Sequence, residues 1–214
     1  MSDAVYDTFT AANGTLLVAH VGETGATWTV DNVFGAAVPG AFVIHTNMLR
    51  RPTFAEDPAS DGGEALVRPS GLLPGSSHFT IECGVIFDVV GFGYGFVAFY
   101  EQAINPGNPY LLAQVSYNNS NYLNATGAGS FSFTPVAAHE YIVLLDVNGT
   151  TLTLSIDGVV KGTGTRTTMP AEPFGIDLGD GSSYGQTHLT YFRITPVTPS
   201  AFWQDFTQSQ EIIA

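Results

Sequence analysis

Apolar and polar positions alternate with a period of two from Glu140 to Gly164, EYIVLLDVNGTTLTLSIDGVVKGTG. Tyr141, Val143, Leu145 and Val147 fall on one side, and Ile142, Leu144 and Asp146 on the other. After Asn148-Gly149, Leu152, Leu154 and Ile156 alternate with Thr151, Thr153 and Ser155. Such alternation is the mark of strands with one buried face, and Asn-Gly and Asp-Gly supply the positive-φ pairs of type I′ hairpin turns. The pattern predicts a meander of three antiparallel strands turning at Asn148-Gly149 and Asp157-Gly158.

The same period recurs along the chain. Strands are expected at Tyr6 to Phe9, Thr15 to Val21, around Trp28, and at Phe42 to His45. HFTIECGVIFDV places Phe79, Ile81, Cys83, Val85 and Phe87 on one face and Thr80, Glu82 and Asp88 on the other. GFGYGFVAFYE, Tyr110 to Tyr117 and SFSF follow as further strands. THLTYFRIT closes the series, with Leu189, Tyr191 and Arg193 on one face and His188, Thr190, Phe192 and Ile194 on the other. The stretch from Asn47 to Gly63 reads as a long polar loop. MPAEPFGIDLGDGSSYGQ reads as loop with at most a short edge strand. About a dozen short strands with no helix between them predict an all-β, antiparallel two-sheet jelly-roll sandwich spanning 1–198.

Composition supports this and narrows the partners. With 24 glycines and 12 prolines in 214 residues, no long helical pattern survives. Charged residues are only 12%, about half of the usual ~25%, so the surface is Ser, Thr, Asn, Gln and Gly. The formal net charge is −13 with a single lysine, Lys161, and that field disfavours nucleic acid and anionic membrane as partners. One cysteine, Cys83, excludes an intrachain disulfide and reads as a core thiol. No secretory signal and no membrane-spanning apolar run is expected.

The opening YDTFTAANGTLLVAHVGETGATWTV, the LTLSIDG hairpin and the late GIDLGDG segment before LTYFRI resemble the concanavalin A-like (laminin-G-like) jelly rolls common in phage virion proteins. The resemblance runs from about Tyr6 to Thr195. It implies a structural protein located on the virion as a capsid decoration or tail-fibre component. It would be homo-oligomeric and contact other virion proteins. The alternative is a carbohydrate-binding module that adheres the particle to host glycans.

Candidate chemistry is sparse. Glycanases of this fold carry paired carboxylates at alternate positions of one strand, about 5–5.5 Å apart when they retain configuration. Glu82 is followed two positions on by Gly84, so the pair is missing and a non-enzymatic protein is expected. No GxSxG or HExxH occurs, and His45, His78, His139 and His188 read as structural. No cofactor is expected. Calcium is the one metal worth naming, for Asp177 and Asp180 in a loop of IDLGDGSS, since it takes hard oxygen ligands. Stacking platforms for a sugar would be Tyr94, Tyr110, Tyr117, Tyr122 and Tyr184. Beyond the last strand, 199–214 forms an apolar tail. Its Phe202, Trp203, Phe206, Ile212 and Ile213 either fold back on the sandwich or act as an assembly arm on a neighbouring copy or the particle.

Overall fold

Alternation becomes strand nearly wherever it occurs. The structure is a computed structural model and describes residues 3–31, 42–51, 66–70, 76–88, 95–101, 110–117, 121–171, 174–180 and 187–197. Its strands are β1 (Val5–Asp7), β2 (Thr15–Leu16), β3 (Trp28–Asp31), β4 (Val43–His45), β5 (Met48–Arg50), β6 (Leu66–Pro69), β7 (His78–Phe87) and β8 (Gly95–Glu101). They continue with β9 (Tyr110–Tyr117), β10 (Asn121–Leu123), β11 (Gly129–Phe131), β12 (Glu140–Asn148), β13 (Thr151–Ile156), β14 (Val159–Thr165), β15 (Phe174–Asp180) and β16 (Thr187–Pro196). A 3-10 turn, Leu17–Ala19, interrupts what the sequence reads as one strand from Thr15 to Val21. Among the described residues no helix is long and apolar enough to cross a membrane.

Two antiparallel sheets result, as the jelly-roll reading expects. One has nine strands in the order β14-β13-β12-β7-β16-β5-β4-β2, with β1 also paired to β16; the other runs β11-β10-β9-β8-β15-β6-β3. The residues that alternate inward on both sheets form one core, in which Ile81, Cys83, Val85, Val143, Leu145, Leu154, Ile176 and Phe192 are almost fully buried. Aromatic pairs join the layers: Phe79 with Phe174 at 4.8 Å, and Phe87 edge-on to Tyr117 at 5.5 Å. Cys83 is buried, and burial followed by the neighbouring Glu82 carboxylate pushes its thiol pKa far up, so it stays protonated.

The meander forms as expected, with one change at its first turn. Asp157 (φ 51°) and Gly158 (φ 74°) both take positive φ, as a type I′ turn demands. At the other turn Asn148 pairs with Thr151, so the two loop residues are Gly149 and Thr150, and of these Gly149 alone has positive φ (57°). That is the glycine-first pattern of a type II′ turn.

Two other expectations fail for physical reasons. The segment read as loop around GIDLGDG is β15, an interior strand between β8 and β6. Its glycines mislead because Gly179 is where the Phe96 ring from β8 lies against the backbone, leaving no room for a Cβ. The polar stretch after Asn47 begins with β5, paired with β4 and β16.

At the end of the sheet that carries β1, the wholly buried Asp7 carboxylate gathers three donors. Phe9 N–H and Trp28 Nε1–H lie at 2.7 Å and His20 Nε2 at 2.9 Å. Phe9 is held at φ 54°, a left-handed conformation that its 2.7 Å bond to Asp7 supports. Trp28 in turn packs on Phe9 at 6.0 Å and on Phe192 at 5.5 Å.

Candidate functional site

Strict alternation puts Glu82 on the outer face of the nine-stranded sheet, because Ile81, Cys83 and Val85 occupy the core. On β16 alternation is broken. A register shift between Leu189 and Tyr191 leaves Thr190 as the extra residue of a bulge, so Leu189, Phe192 and Ile194 all reach the core while Tyr191 and Arg193 turn outward. The sequence reading that grouped Leu189 with Tyr191 and Arg193 is thereby corrected.

Arg193 stands opposite Glu82 across the strands, and Tyr191 opposite Gly84. Both side chains donate to the same oxygen of Glu82: Tyr191 O–H at 2.7 Å and Arg193 Nη2 at 2.6 Å from Oε1. Burial, and then the hydrogen bond to the Glu82 carboxylate, push the Tyr191 phenol well above its ordinary pKa. Tyr191 therefore remains a donor. Glu82 is 8% exposed, whereas the Arg193 side chain is 39% exposed, so its remaining N–H groups are open to a ligand.

Gly84 is the centre of the arrangement. A Cβ there would stand 2.6 Å from Glu140 Oε1, 2.8 Å from the Tyr191 ring, and against Thr190 Oγ1. Glu140 comes from β12, opposite Ile86, and accepts a short hydrogen bond from the Thr190 hydroxyl. The carboxylate that the sequence lacks at position 84 is thus supplied over position 84 by the neighbouring strand. Exposed Ile142 lies across from Gly84. Beyond this cluster, Thr195, Thr80, Asp146, Thr153 and Thr163 form one cross-strand row, with His78 Nε2 at 2.8 Å from Asp146. Carboxylate acceptors, guanidinium donors and hydroxyls set side by side on a half-open face are the groups that recognise adjacent hydroxyls on a ligand.

The outer face of the seven-stranded sheet is different. Phe96, Ala98 and Tyr100 form a second apolar cluster there with Leu111, and all three are buried. Asp177, opposite Ala98, is fully buried on the same face, and Ser116 Oγ is buried without a hydrogen-bond partner. Gln114 and Tyr122, which pair across β9 and β10, are the more open members.

The sequence-predicted residues scatter. Tyr117 is 3% exposed and belongs to the core, so it offers no platform: its position on β9 points inward, where the ring meets Phe87. Tyr122 is 36% exposed and open to a ligand. Tyr110 lies on β9 but its side chain is outside the described residues, as are Tyr94, Tyr184 and the tail with Phe202, Trp203, Phe206, Ile212 and Ile213. Asp177 and Asp180 sit on strand β15 rather than in a loop, three positions apart and hence at positions of opposite parity. The Asp180 side chain is outside the described residues. Among the described residues no group of three or more His, Cys, Asp or Glu is placed to hold a metal ion. Of the histidines, His188 departs from the satisfied state expected of it. Its Nε2 lies 2.7 Å from Asp88 Oδ2 without hydrogen-bond geometry, and its Nδ1 has no partner.

No family model matches the sequence, and no curated protein does. Solved structures do share the architecture. One chain, described with endo-acting O-glycanases of prominent human gut microbiota members, overlays with a TM-score of 0.60 at 11% identity, covering 92% of this chain and 100% of its own. The potassium-bound carbohydrate recognition domain of Emp46p gives 0.56 at 12%, covering 87% and 97%. The sialidase of Trypanosoma rangeli gives 0.52 at 15%, covering 75% of this chain but only 27% of the sialidase, so the chain spans little more than a quarter of that enzyme. At such identities the likeness establishes the fold, a concanavalin A-like β-sandwich found in lectin and glycanase structures. It also corrects the expectation of a non-enzymatic protein, which rested on the unpaired Glu82: sialidase and glycanase chains share this architecture. None of the three descriptions concerns a virion, and the phage setting gains no support from them.

Proposed function

We propose that this sandwich is a glycan-engaging domain whose ligand lies on the outer face of the nine-stranded sheet, against the side chains that cover Gly84. The observation that carries the reading is the cluster of Glu82, Glu140, Thr190, Tyr191 and Arg193, in which donors and acceptors alternate in the room that Gly84 leaves on the sheet. A saccharide presents adjacent hydroxyls that each donate and accept, and this face offers both complements. The carbohydrate-recognition and glycanase chains that share the fold support the same class of ligand. The opposite face is less suited because its centre is filled by Phe96, Ala98 and Tyr100.

A calorimetric titration against a panel of oligosaccharides tests this. A hydrogen bond to a charged group contributes about 1.5–3 kcal/mol, so Arg193→Gln or Glu140→Gln should weaken binding roughly tenfold or more. Tyr122→Ala, on the other sheet, should leave binding unchanged. A panel with no binder, or binding lost only in Tyr122→Ala, overturns the assignment. Reading the same panel for new reducing ends shows whether binding proceeds to cleavage, and release abolished by both Glu82→Gln and Glu140→Gln would assign it to this pair.

A further inference from the structure

We infer that the glycan accepted on the Glu82, Glu140 and Arg193 cluster is neutral rather than acidic; this rests on the glycan reading above and narrows it. The chain carries a net charge of −13 and only six basic residues. Three of the arginines among the described residues are already committed. Arg193 is held on Glu82 at 2.6 Å, Arg166 on Glu101, and Arg50 donates to the Arg51 carbonyl at 3.0 Å. Lys161 lies on β14, the edge strand, three strands from β7. On the face itself Glu82, Glu140 and Asp146 stand against Arg193.

An acidic sugar would need an uncommitted cation for its carboxylate or sulfate. The charge of Arg193 is already balanced by Glu82, and to become the counter-ion of an acidic group it would have to leave Glu82, stranding a carboxylate 8% exposed to water. Removing one partner of such a pair is costly because the other charge stays desolvated. A neutral sugar makes no such demand. It accepts from the outward N–H groups of Arg193 and donates to the Glu140 carboxylate while the Arg193–Glu82 pair stays closed. The field of the whole chain acts in the same direction on approach, repelling anions over about 10 Å at 0.1 M salt.

The test titrates the full chain with two matched pairs: laminarin against sulfated laminarin, and N-acetyllactosamine with and without terminal sialic acid. Within a pair that binds, the neutral member should bind at least tenfold tighter at low salt, with the gap narrowing as salt rises. Glu82→Gln, which frees Arg193, should move the neutral-to-acidic ratio toward the acidic member. Glu140→Gln, a substitution at an exposed position, provides the same readout if the first variant folds poorly, and should also relax the discrimination. An acidic member that binds as tightly as its neutral counterpart overturns the inference while leaving the glycan reading intact. A ratio unmoved in both variants overturns it too. Failure of every pair to bind overturns the glycan reading, and this inference with it.

Discussion

Replacing Asp7 by Ala should be among the most damaging single changes in the chain. The carboxylate is 0% exposed and accepts from Phe9 N–H, Trp28 Nε1–H and His20 Nε2. His20 lies at the edge of this site, with a side chain 9% exposed, and can turn to water. The other two donors cannot, since Phe9 is 0% and Trp28 2% exposed. A buried donor left without a partner costs about 1–3 kcal/mol, so two of them give a loss of roughly 2–6 kcal/mol. Against a typical stability of about 5–15 kcal/mol, that is a large fraction. Urea unfolding followed by tryptophan fluorescence should show the midpoint fall at unchanged slope. Asp7→Asn, which keeps one acceptor oxygen, should fall between the two. A loss under about 1 kcal/mol in Asp7→Ala would refute the argument, because it would mean the freed donors find other partners within the fold.

Two further outcomes follow from the geometry. Gly149→Val should cost about 1–2 kcal/mol or more in urea unfolding, from the positive φ of 57° alone, because nothing stands within 4 Å of a Cβ there; a neutral substitution would contradict the turn. In an alkaline titration followed by tyrosinate absorbance, Tyr191→Phe should remove a phenol that ionises well above the ordinary tyrosine range; amplitude lost instead at the ordinary phenol pH would contradict the contact with Glu82. Because its folded pKa is raised, the stability it contributes is complete below the unfolded value of about 10 and is lost as pH rises above it toward the folded value.

Much of the architecture is written in the order of residues. Alternation at Tyr141, Val143, Leu145 and Val147 places those side chains in the core, and Asp157-Gly158 sets its hairpin, because strand parity and turn backbone depend on neighbours along the chain. The inert thiol at Cys83 follows from the same parity. Local pattern cannot show an extra residue in one strand of a pair. The bulge at Thr190 reverses the facing of everything after it and brings Tyr191 and Arg193 to Glu82. Nor can it show what a distant strand contributes. Glycine at position 84 looks like a missing carboxylate in sequence, yet in the sheet it is the space into which Glu140 reaches from β12. Gly179 looks like a loop residue, yet it seats Phe96 from β8 within an interior strand. In each case the deciding contact lies between residues far apart in sequence, so pairing register and bulges, which exist only in the assembled sheets, determine what stands beside what.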